Sequence, residues 1–173
     1  MTDKQINILI TAMKLFASLG FDGTSTKAIA KEAGVSEGLI FKHFKNKEGL
    51  LEAIINYGME KASVYFSEVI LISEPKKRIK KAISLPFTID PNDNQFWKLM
   101  YALKWQRSEY QTSAFVLFRA SLVDAFEQLG YDNPEVEATL IEVIIDGVAT
   151  QILLKNIDAG TLLETILNKH SLN

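Results

Sequence analysis

The sequence predicts an all-α protein of about nine helices, and three observations support this fold class. Apolar residues recur at three- and four-residue spacing along most of the chain, which is the period of a helix with one buried face. Glycine or proline stands where these periodic segments begin or end, as at Gly20, Gly34, Pro75, Gly130 and Pro134. No stretch combines sustained period-two alternation with β-branched residues, so no strand is predicted.

The first predicted helix runs from about Lys4 to Leu19, and Gly20 ends it. Its expected apolar stripe consists of Ile6, Leu9, Ile10, Met13, Phe16 and Ala17. A hydrophobic helix of this kind can support shorter helices that are marginal alone in water. We therefore expect a three-helix head at the start of the chain.

Residues 25–44 read STKAIAKEAGVSEGLIFKHF and predict two short helices joined by a tight corner. Ser25 caps the helix Thr26–Ala33, Gly34 supplies a left-handed turn, and Ser36 caps the helix Glu37–Phe44. Helix, short glycine-containing turn and helix form the helix-turn-helix pattern, whose second helix enters a DNA major groove. The residues expected on its inner side are Ile29, Ala30, Ile40 and Phe44.

Six further helices are expected after the head. Their ranges are about Lys47–Leu71 capped by Asn46, Pro75–Leu85, Pro91 to Trp105 or Arg107 capped by Asp90, Thr112–Leu129, Pro134–Lys155 and Thr161–Leu167. Thr161 and Glu164 are expected to form a capping box. We expect the domain boundary after residue 46, with a head at 1–46 and a helical body at 47–173.

The composition is that of a folded domain. Of the 173 residues, 47% are hydrophobic, yet charged residues interrupt each apolar run before it reaches the length of a membrane span. The N-terminal MTDKQ lacks the basic and apolar regions of a signal peptide, so we expect a cytoplasmic protein without a membrane partner. The absence of cysteine excludes a disulfide framework and a thiolate zinc site.

The net charge of −2 is unevenly distributed. Residues 1–55 hold seven lysines and six acidic residues, whereas the remainder holds twelve basic and fifteen acidic residues. A slightly basic end on an acidic body suits a DNA-reading head carried by another domain, although the asymmetry decides nothing alone.

The first 55 residues resemble the tetracycline-repressor (TetR) family of bacterial transcriptional regulators. The resemblance lies in Phe16-Ala17-x-x-Gly20-Phe21, Thr24-Ser25-Thr26, Ile29-Ala30-x-x-Ala33-Gly34-Val35-Ser36-x-Gly38, Phe41-x-His43-Phe44 and Lys47-Glu48-x-Leu50-Leu51. It implies a homodimer whose heads bind a palindromic operator in double-stranded DNA and whose helical body binds a small-molecule effector. We expect a repressor that a small apolar effector releases from its operator, with no enzymatic activity and no cofactor.

The resemblance also implies which residues contact DNA. Thr26 and Lys27 would touch phosphate or a base edge, and Lys42, charged His43 and Lys47 would bind the backbone. At the start of the recognition helix, Glu37 would accept from a cytosine amine, Gly38 would permit close approach, and Leu39 would contact a thymine methyl. The expected set is Ser25, Thr26, Lys27, Ser36, Glu37, Gly38, Leu39, Phe41, Lys42, His43 and Lys47. Phe41 replaces the family's usual tyrosine and removes one expected phosphate contact.

Aromatic residues concentrate between Phe87 and Phe126, which suggests an effector pocket or ordinary core packing. Packing is the favoured interpretation for any single residue. The candidate pocket residues are Phe66, Phe96, Trp97, Met100, Tyr101, Phe115 and Phe118, with Trp105 and Tyr110 in the same cluster and Gln106, Arg107 and Glu109 as candidate polar partners.

The last two helices carry more apolar surface than a small domain needs. A two-fold four-helix interface is the expected use, and an intrachain core is the alternative. The candidate interface residues are Leu140, Val143, Ile144, Gly147, Val148, Leu163, Ile166 and Leu167.

Three further interpretations remain open. The basic run Lys76, Lys77, Arg78, Lys80 and Lys81 suggests a phosphate or membrane contact, but a solvated helix face is favoured. A helical enzyme is a poor alternative, because the sequence offers no Ser-His-Asp set, glycine-rich phosphate loop or metal cluster, and its histidines are only His43 and His170. A helical protein–protein adaptor is the third possibility.

Overall fold

The computed structural model describes residues 1–104, 113–155, 157 and 159–170. Nine α-helices and two short 3₁₀-helices make up the described part, which contains no strand. The helices are α1 (Asp3–Leu19), α2 (Thr26–Ala33), α3 (Glu37–Phe44), α4 (Lys47–Ile70), α5 (Pro75–Ser84), α6 (Asn94–Lys104), α7 (Ser113–Gln128), α8 (Pro134–Lys155) and α9 (Ala159–Lys169), and the 3₁₀-helices are Leu85–Thr88 and Pro91–Asp93. No helix in the described ranges is long and apolar enough to span a bilayer.

The chain divides into two compact units. Unit 1 contains the described parts of 1–60 and 92–108, and unit 2 contains those of 61–91 and 109–173. Helix α4 therefore contributes to both units, and α6 belongs to unit 1 with the first three helices. The functional boundary expected after residue 46 stays a prediction, because this division groups residues by spatial contact.

The N-terminal caps of the first three helices agree only partly with those expected from the sequence. Ser25 accepts from the backbone N–H of Ala28 at 3.1 Å, as an N-cap should. Ser36 holds the extended cap conformation, but its side chain makes no capping hydrogen bond, so that part of the prediction is wrong. Thr2 and Gln5 form an unpredicted capping box on α1, in which the Gln5 Oε1 accepts from the Thr2 backbone N–H at 2.8 Å.

Two later helix starts also differ from the predictions. Pro91 opens the 3₁₀-helix Pro91–Asp93, and α6 begins only at Asn94. Thr161 lies inside α9, which starts at Ala159, so the expected cap position is wrong. The predicted helix end at Trp105 or Arg107 lies outside the described residues.

The buried face of α1 differs from the expected stripe. Ile8 and Ala12 are fully buried, whereas Ile6 is 39% exposed and Ala17 is exposed. Helix α1 contacts both α2 and α6, so it has a second helical partner besides its neighbour in sequence. The local periodicity could not indicate this contact, because α6 lies far along the chain.

Helix α6 packs tightly against the first part of α4. A Cβ atom on Gly58 would lie 2.5 Å from Met100 Cε and 2.9 Å from Phe96 Cζ, both on buried side chains. The Phe96 ring also meets the Tyr57 ring edge-on at a centroid distance of 5.9 Å. Glycine at position 58 is therefore what permits this close approach.

We expect Gly58→Ala to destabilise the fold, because the added methyl group overpacks the contact with Met100 and Phe96. The loss should be about 1–3 kcal/mol in the free energy of unfolding, measured by urea denaturation. Gly38→Ala is the matched control, because nothing lies within 4 Å of a Cβ there. It should leave stability unchanged or raised, since alanine favours helix. Equal losses in both variants would contradict this account.

Unit 2 has its own hydrophobic core, formed mainly by α5, α7, α8 and α9 together with Val69 from the end of α4. Its buried members are Val69, Ile79, Ala82, Ile83, Leu85, Phe118, Leu122, Ala125, Phe126, Ala138, Ile141 and Leu167. This core fixes the positions of α5, α7, α8 and α9 within unit 2.

Arg78, in the basic run on α5, has a structural role within unit 2. It is only 7% exposed, and its guanidinium donates to Ile72 O at 2.7 Å, Ser121 O at 2.8 Å and Asp124 Oδ2 at 2.6 Å. Elsewhere in the run, Lys81 pairs with Glu68 at 2.8 Å. These contacts are structural ties within unit 2 and favour the solvated-face interpretation for the remaining lysines.

The ion pair with Arg78 predicts a pH-dependent contribution to stability. The hydrogen bond from Arg78 lowers the pKa of Asp124, and a second hydrogen bond from Gln128 acts in the same direction. A carboxyl with a lowered pKa stabilises the fold above its unfolded pKa of about 3.9, and the contribution is lost as pH falls through the folded pKa. Asp124→Asn should therefore be less stable than the wild type at neutral pH, with the difference shrinking in acid.

Urea unfolding followed by circular dichroism between about pH 7 and pH 3 measures this difference. Asp132→Asn is the control, because Asp132 is an exposed carboxylate in the turn between α7 and α8. It should change stability less at neutral pH. A constant difference between wild type and Asp124→Asn across the range would refute the ionic explanation.

Candidate nucleic-acid interface

Helices α2 and α3 form the predicted corner, which holds one face of α3 against the core of unit 1. Gly34 adopts φ +67, and the next N–H, of Val35, donates to Ala30 O at 3.0 Å, which closes α2. Ile40 is fully buried and Phe44 is 8% exposed, as the sequence predicted. The outer face of α3 is left uncovered within the described chain.

All eleven predicted DNA-contact residues lie in unit 1, and none is buried. The exposed members are Ser25, Lys27, Ser36, Gly38, Phe41 and Lys42, and the half-buried members are Thr26, Glu37, Leu39, His43 and Lys47. The head thus leaves these residues, polar side chains together with Gly38, Leu39 and Phe41, accessible around the starts of α2, α3 and α4 and on the outer face of α3. Their roles in DNA contact remain a prediction.

A hydrogen bond links the starts of the two short helices. Thr26 Oγ1 donates to Glu37 Oε1 at 2.6 Å. The bond holds the Glu37 side chain at the beginning of α3 and leaves its second carboxylate oxygen free of Thr26. A carboxylate fixed in this way can accept from a base amine, as the sequence argument expected for Glu37.

Lys47 at the start of α4 holds the loop between α1 and α2. Its ammonium donates to Phe21 O at 2.9 Å and lies 4.2 Å from the centroid of the Phe21 ring. An ammonium group has three donors, so this contact leaves capacity for an anion. The structural role was not predicted from sequence.

An open cleft of about 380 Å³ lies beside the start of α2. Its lining brings four of the predicted contact residues together, namely Ser25, Thr26, Phe41 and Lys47, with Asp22, Gly23 and Thr24 completing it. The free N–H groups at a helix start and a lysine ammonium favour an anionic group, and phosphate is the anion that DNA supplies.

His43 has a partner that the sequence did not suggest. Its Nδ1 lies 3.2 Å from Gln5 Nε2, which joins the end of α3 to the first turn of α1. The pattern Thr2-x-x-Gln5 is a capping-box signature and was the available signal for an ordered Gln5 at this position.

The junction between α3 and α4 is strained. Lys45 has φ 68 and ψ −51, and the Asn46 N–H donates to Phe44 O at 2.8 Å, which together describe a γ-turn of the rare form. Asn46 Oδ1 then caps α4 by accepting from the Gly49 N–H at 2.7 Å, as predicted. A Cβ atom on Gly49 would fall 2.1 Å from Phe44 O, so the tight junction also requires glycine there.

Lys45→Gly should stabilise the chain, because glycine adopts positive φ without the steric cost that a Cβ imposes. We expect a gain of about 1 kcal/mol in the free energy of unfolding, measured by urea denaturation. Lys45→Ala is the matched control, since it removes the same charge and retains the Cβ. Equal stability of the two variants would show that Lys45 stores no strain.

The candidate pocket residues are divided between the two units. Phe96, Trp97, Met100 and Tyr101 belong to unit 1, and Phe66, Phe115 and Phe118 belong to unit 2. Phe66 stacks on Phe118 with centroids 4.6 Å apart, and Phe96, Met100 and Phe118 are buried. These contacts are those of packed cores. The other candidates at Trp105, Gln106, Arg107, Glu109 and Tyr110 lie outside the described residues.

The candidate dimer residues separate into outer and inner positions. On α8, Leu140 is 44% and Val143 is 61% exposed, and exposed Gly147 continues their row. Val136, at 65% exposure, extends the same row towards the helix start. Val148 and Leu167 are buried within the chain itself, and Ile144, Leu163 and Ile166 are half-buried.

The head also matches known proteins. Residues 8–54 match the family described as bacterial regulatory proteins, tetR family. The uncharacterized HTH-type transcriptional regulator YerO of Bacillus subtilis (strain 168) is 38% identical over 90 residues, which are 50% of this chain and 31% of that protein. Residues 8–54 of this chain are therefore a TetR-family domain.

The TetR-family likeness is strongest in the head. The chain covers only 31%, 26% and 21% of three similar curated relatives. The fold likeness extends further. A Rhodococcus sp. structure assigned to the TetR-family transcriptional regulators has a TM-score of 0.74 and 22% identity, covering 96% of each chain. AibR, in complex with isovaleryl coenzyme A and operator DNA, has a TM-score of 0.71 and 20% identity, covering 96% of this chain and 97% of its own.

Proposed function

We propose that this chain is a DNA-binding transcriptional regulator that acts as a homodimer. The observation that carries the proposal is the outer face of α3, which is uncovered while Ile40 and Phe44 anchor the inner face. A recognition helix needs this combination, because its base-reading side must enter the major groove without disturbing the core.

The contact residues divide by chemistry. Lys27 and Lys42 are exposed cations that neutralise phosphates, and the cleft at the start of α2 receives a further phosphate. Glu37, Gly38 and Leu39 lie at the N-terminal end of α3, where side chains reach base edges in a helix-turn-helix complex. Phosphate contacts thus set the position of the head, and these three residues set its sequence preference.

Dimerisation follows from the apolar row on α8. Val136, Leu140, Val143 and Gly147 recur at four- and three-residue spacing on one exposed side of the helix. A second copy related by a two-fold axis would bury the row against itself. Two heads joined in this way bind a palindrome whose half-sites lie about 34–36 Å apart.

Regulation is proposed to depend on a small apolar effector that releases the repressor from its operator. AibR supports the existence of an effector, because that protein of the same fold is seen with operator DNA and with isovaleryl coenzyme A, of which only the acyl group is small and apolar. An effector acts only if it binds the DNA-free state better than the DNA-bound state. Helix α4 is one covalent link through which such a preference would reach the head, since it contributes to both units.

Selection of bound duplexes from a random pool tests the function. We expect a palindromic sequence to emerge, because two identical heads read the same bases on opposite strands. Its affinity should fall steeply with salt, and Lys27→Ala or Lys42→Ala should each reduce the slope of log K against log salt by about 1.

Lys76→Ala and Lys77→Ala are the matched controls, since both lysines are exposed on α5 in unit 2. They should leave affinity and slope unchanged. Enrichment of no sequence would count against a regulator, and an adaptor would then be favoured. Enrichment of a sequence without two-fold symmetry would reject the dimeric reading of DNA.

A further inference from the structure

Gln5 and His43 form the one described side-chain hydrogen bond between the first turn of α1 and the last turn of α3. The two residues are 38 positions apart in sequence, and their bond is partly buried. His43 also meets the Phe44 ring edge-on at a centroid distance of 6.3 Å. The imidazole is therefore restrained on two sides.

The orientation of the Gln5 amide is determined by its hydrogen bond to the backbone of Thr2. Gln5 Oε1 accepts from the Thr2 backbone N–H at 2.8 Å, and a backbone N–H can only donate. The amide NH₂ group must then face His43. Because an amide nitrogen only donates, His43 Nδ1 must accept and can carry no proton while this bond is made.

The tautomer of His43 follows directly. A neutral imidazole that lacks a proton on Nδ1 carries it on Nε2, and this second nitrogen is a donor. Among the described residues, Gln5 is the only recorded hydrogen-bond partner of His43, and it occupies Nδ1. The half-buried ring thus retains an N–H for an acceptor outside the chain.

We propose that Gln5 is a positioning residue for DNA binding, which holds His43 as a neutral Nε2–H donor to a phosphate oxygen. This inference rests on the proposed function. It assigns His43 a hydrogen bond in place of the positive charge expected from sequence. The charge-dependent part of the affinity for DNA then comes from lysines. His43 fixes the position of α3 on the DNA backbone.

Gln5→Glu replaces the amide nitrogen that faces His43 by a carboxylate oxygen and adds one negative charge. A glutamate at this position completes the same capping box with Thr2 and is favoured at a helix start, so the fold should be retained. Its carboxylate accepts and cannot donate, which requires a proton on His43 Nδ1. Nε2 of the neutral ring then becomes an acceptor and repels a phosphate oxygen.

Nitrogen-15 NMR of labelled histidine reads the tautomer without DNA. At about pH 8.5, where an unperturbed imidazole is neutral, the wild type should show a bare Nδ1 and a protonated Nε2 at His43. Gln5→Glu should show a protonated Nδ1. The His170→Asn variant assigns the signals, because the chain has only two histidines. A protonated Nδ1 in the wild type would overturn the proposal.

Binding to the duplex selected from the random pool tests the functional role at the same pH. Gln5→Glu should weaken binding about tenfold for each head, the typical effect of one hydrogen bond to a charged group. His43→Ala should cause a similar loss with an unchanged salt slope. In the double variant, the effect of Gln5→Glu should disappear, which separates loss of the donor from the added negative charge.

Two results would overturn the role of Gln5. One is an affinity that Gln5→Glu leaves unchanged, and the other is an equal loss in the His43→Ala background. Absence of DNA binding by the wild type would overturn the regulatory function as well. The two failures can be told apart, because the lysine variants would show no effect on binding only if the regulatory function itself is wrong.

Discussion

Two eight-residue helices carry the proposed function, and neither could persist alone. Their existence depends on burying Ile29, Ile40 and Phe44 in the core of unit 1. This single constraint explains the arrangement of the head. The apolar side of α3 must face inward, so its remaining residues are presented outward in a fixed orientation, and the glycine at Gly34 must bring α2 and α3 close enough to share that core.

The same constraint has a cost at the junction with α4. Holding Phe44 inward while α4 begins immediately afterwards leaves little chain for the change in direction. The turn is made by Lys45 at positive φ, with Phe44 O accepting from the Asn46 N–H. Strain of this kind typically costs about 1–3 kcal/mol and persists only where the surrounding packing determines it. The tight connection makes the orientation of α3 depend on the position of α4.

Polar contacts restrain individual side chains on the helices that the core positions. Thr26 holds Glu37, Lys47 holds the loop at Phe21, and Gln5 holds His43. Each contact restrains a residue expected at the DNA surface, and each partner lies on a different element. Because the first 55 residues carry a charge surplus of only one, a head of this kind depends on oriented donors and acceptors as well as on net charge. Ordered side chains lose less freedom on binding, which favours affinity.

The sequence by itself determined the all-α class, the ranges of α2 and α3, the buried Ile40 and Phe44, and the TetR-family likeness of the head. These depend on local signals, namely caps, glycine turns and apolar periodicity, which act over a few residues. Tertiary structure decided what local patterns cannot encode. Ile8 and Ala12 are in the core and Ile6 and Ala17 are not, and α1 contacts α6, which lies far along the chain. Contacts between segments far apart in sequence also divide the aromatic cluster between two units, pair Arg78 with Asp124, and join His43 to Gln5. Contacts between distant segments depend on how whole helices pack, and that packing set the geometry of the candidate site.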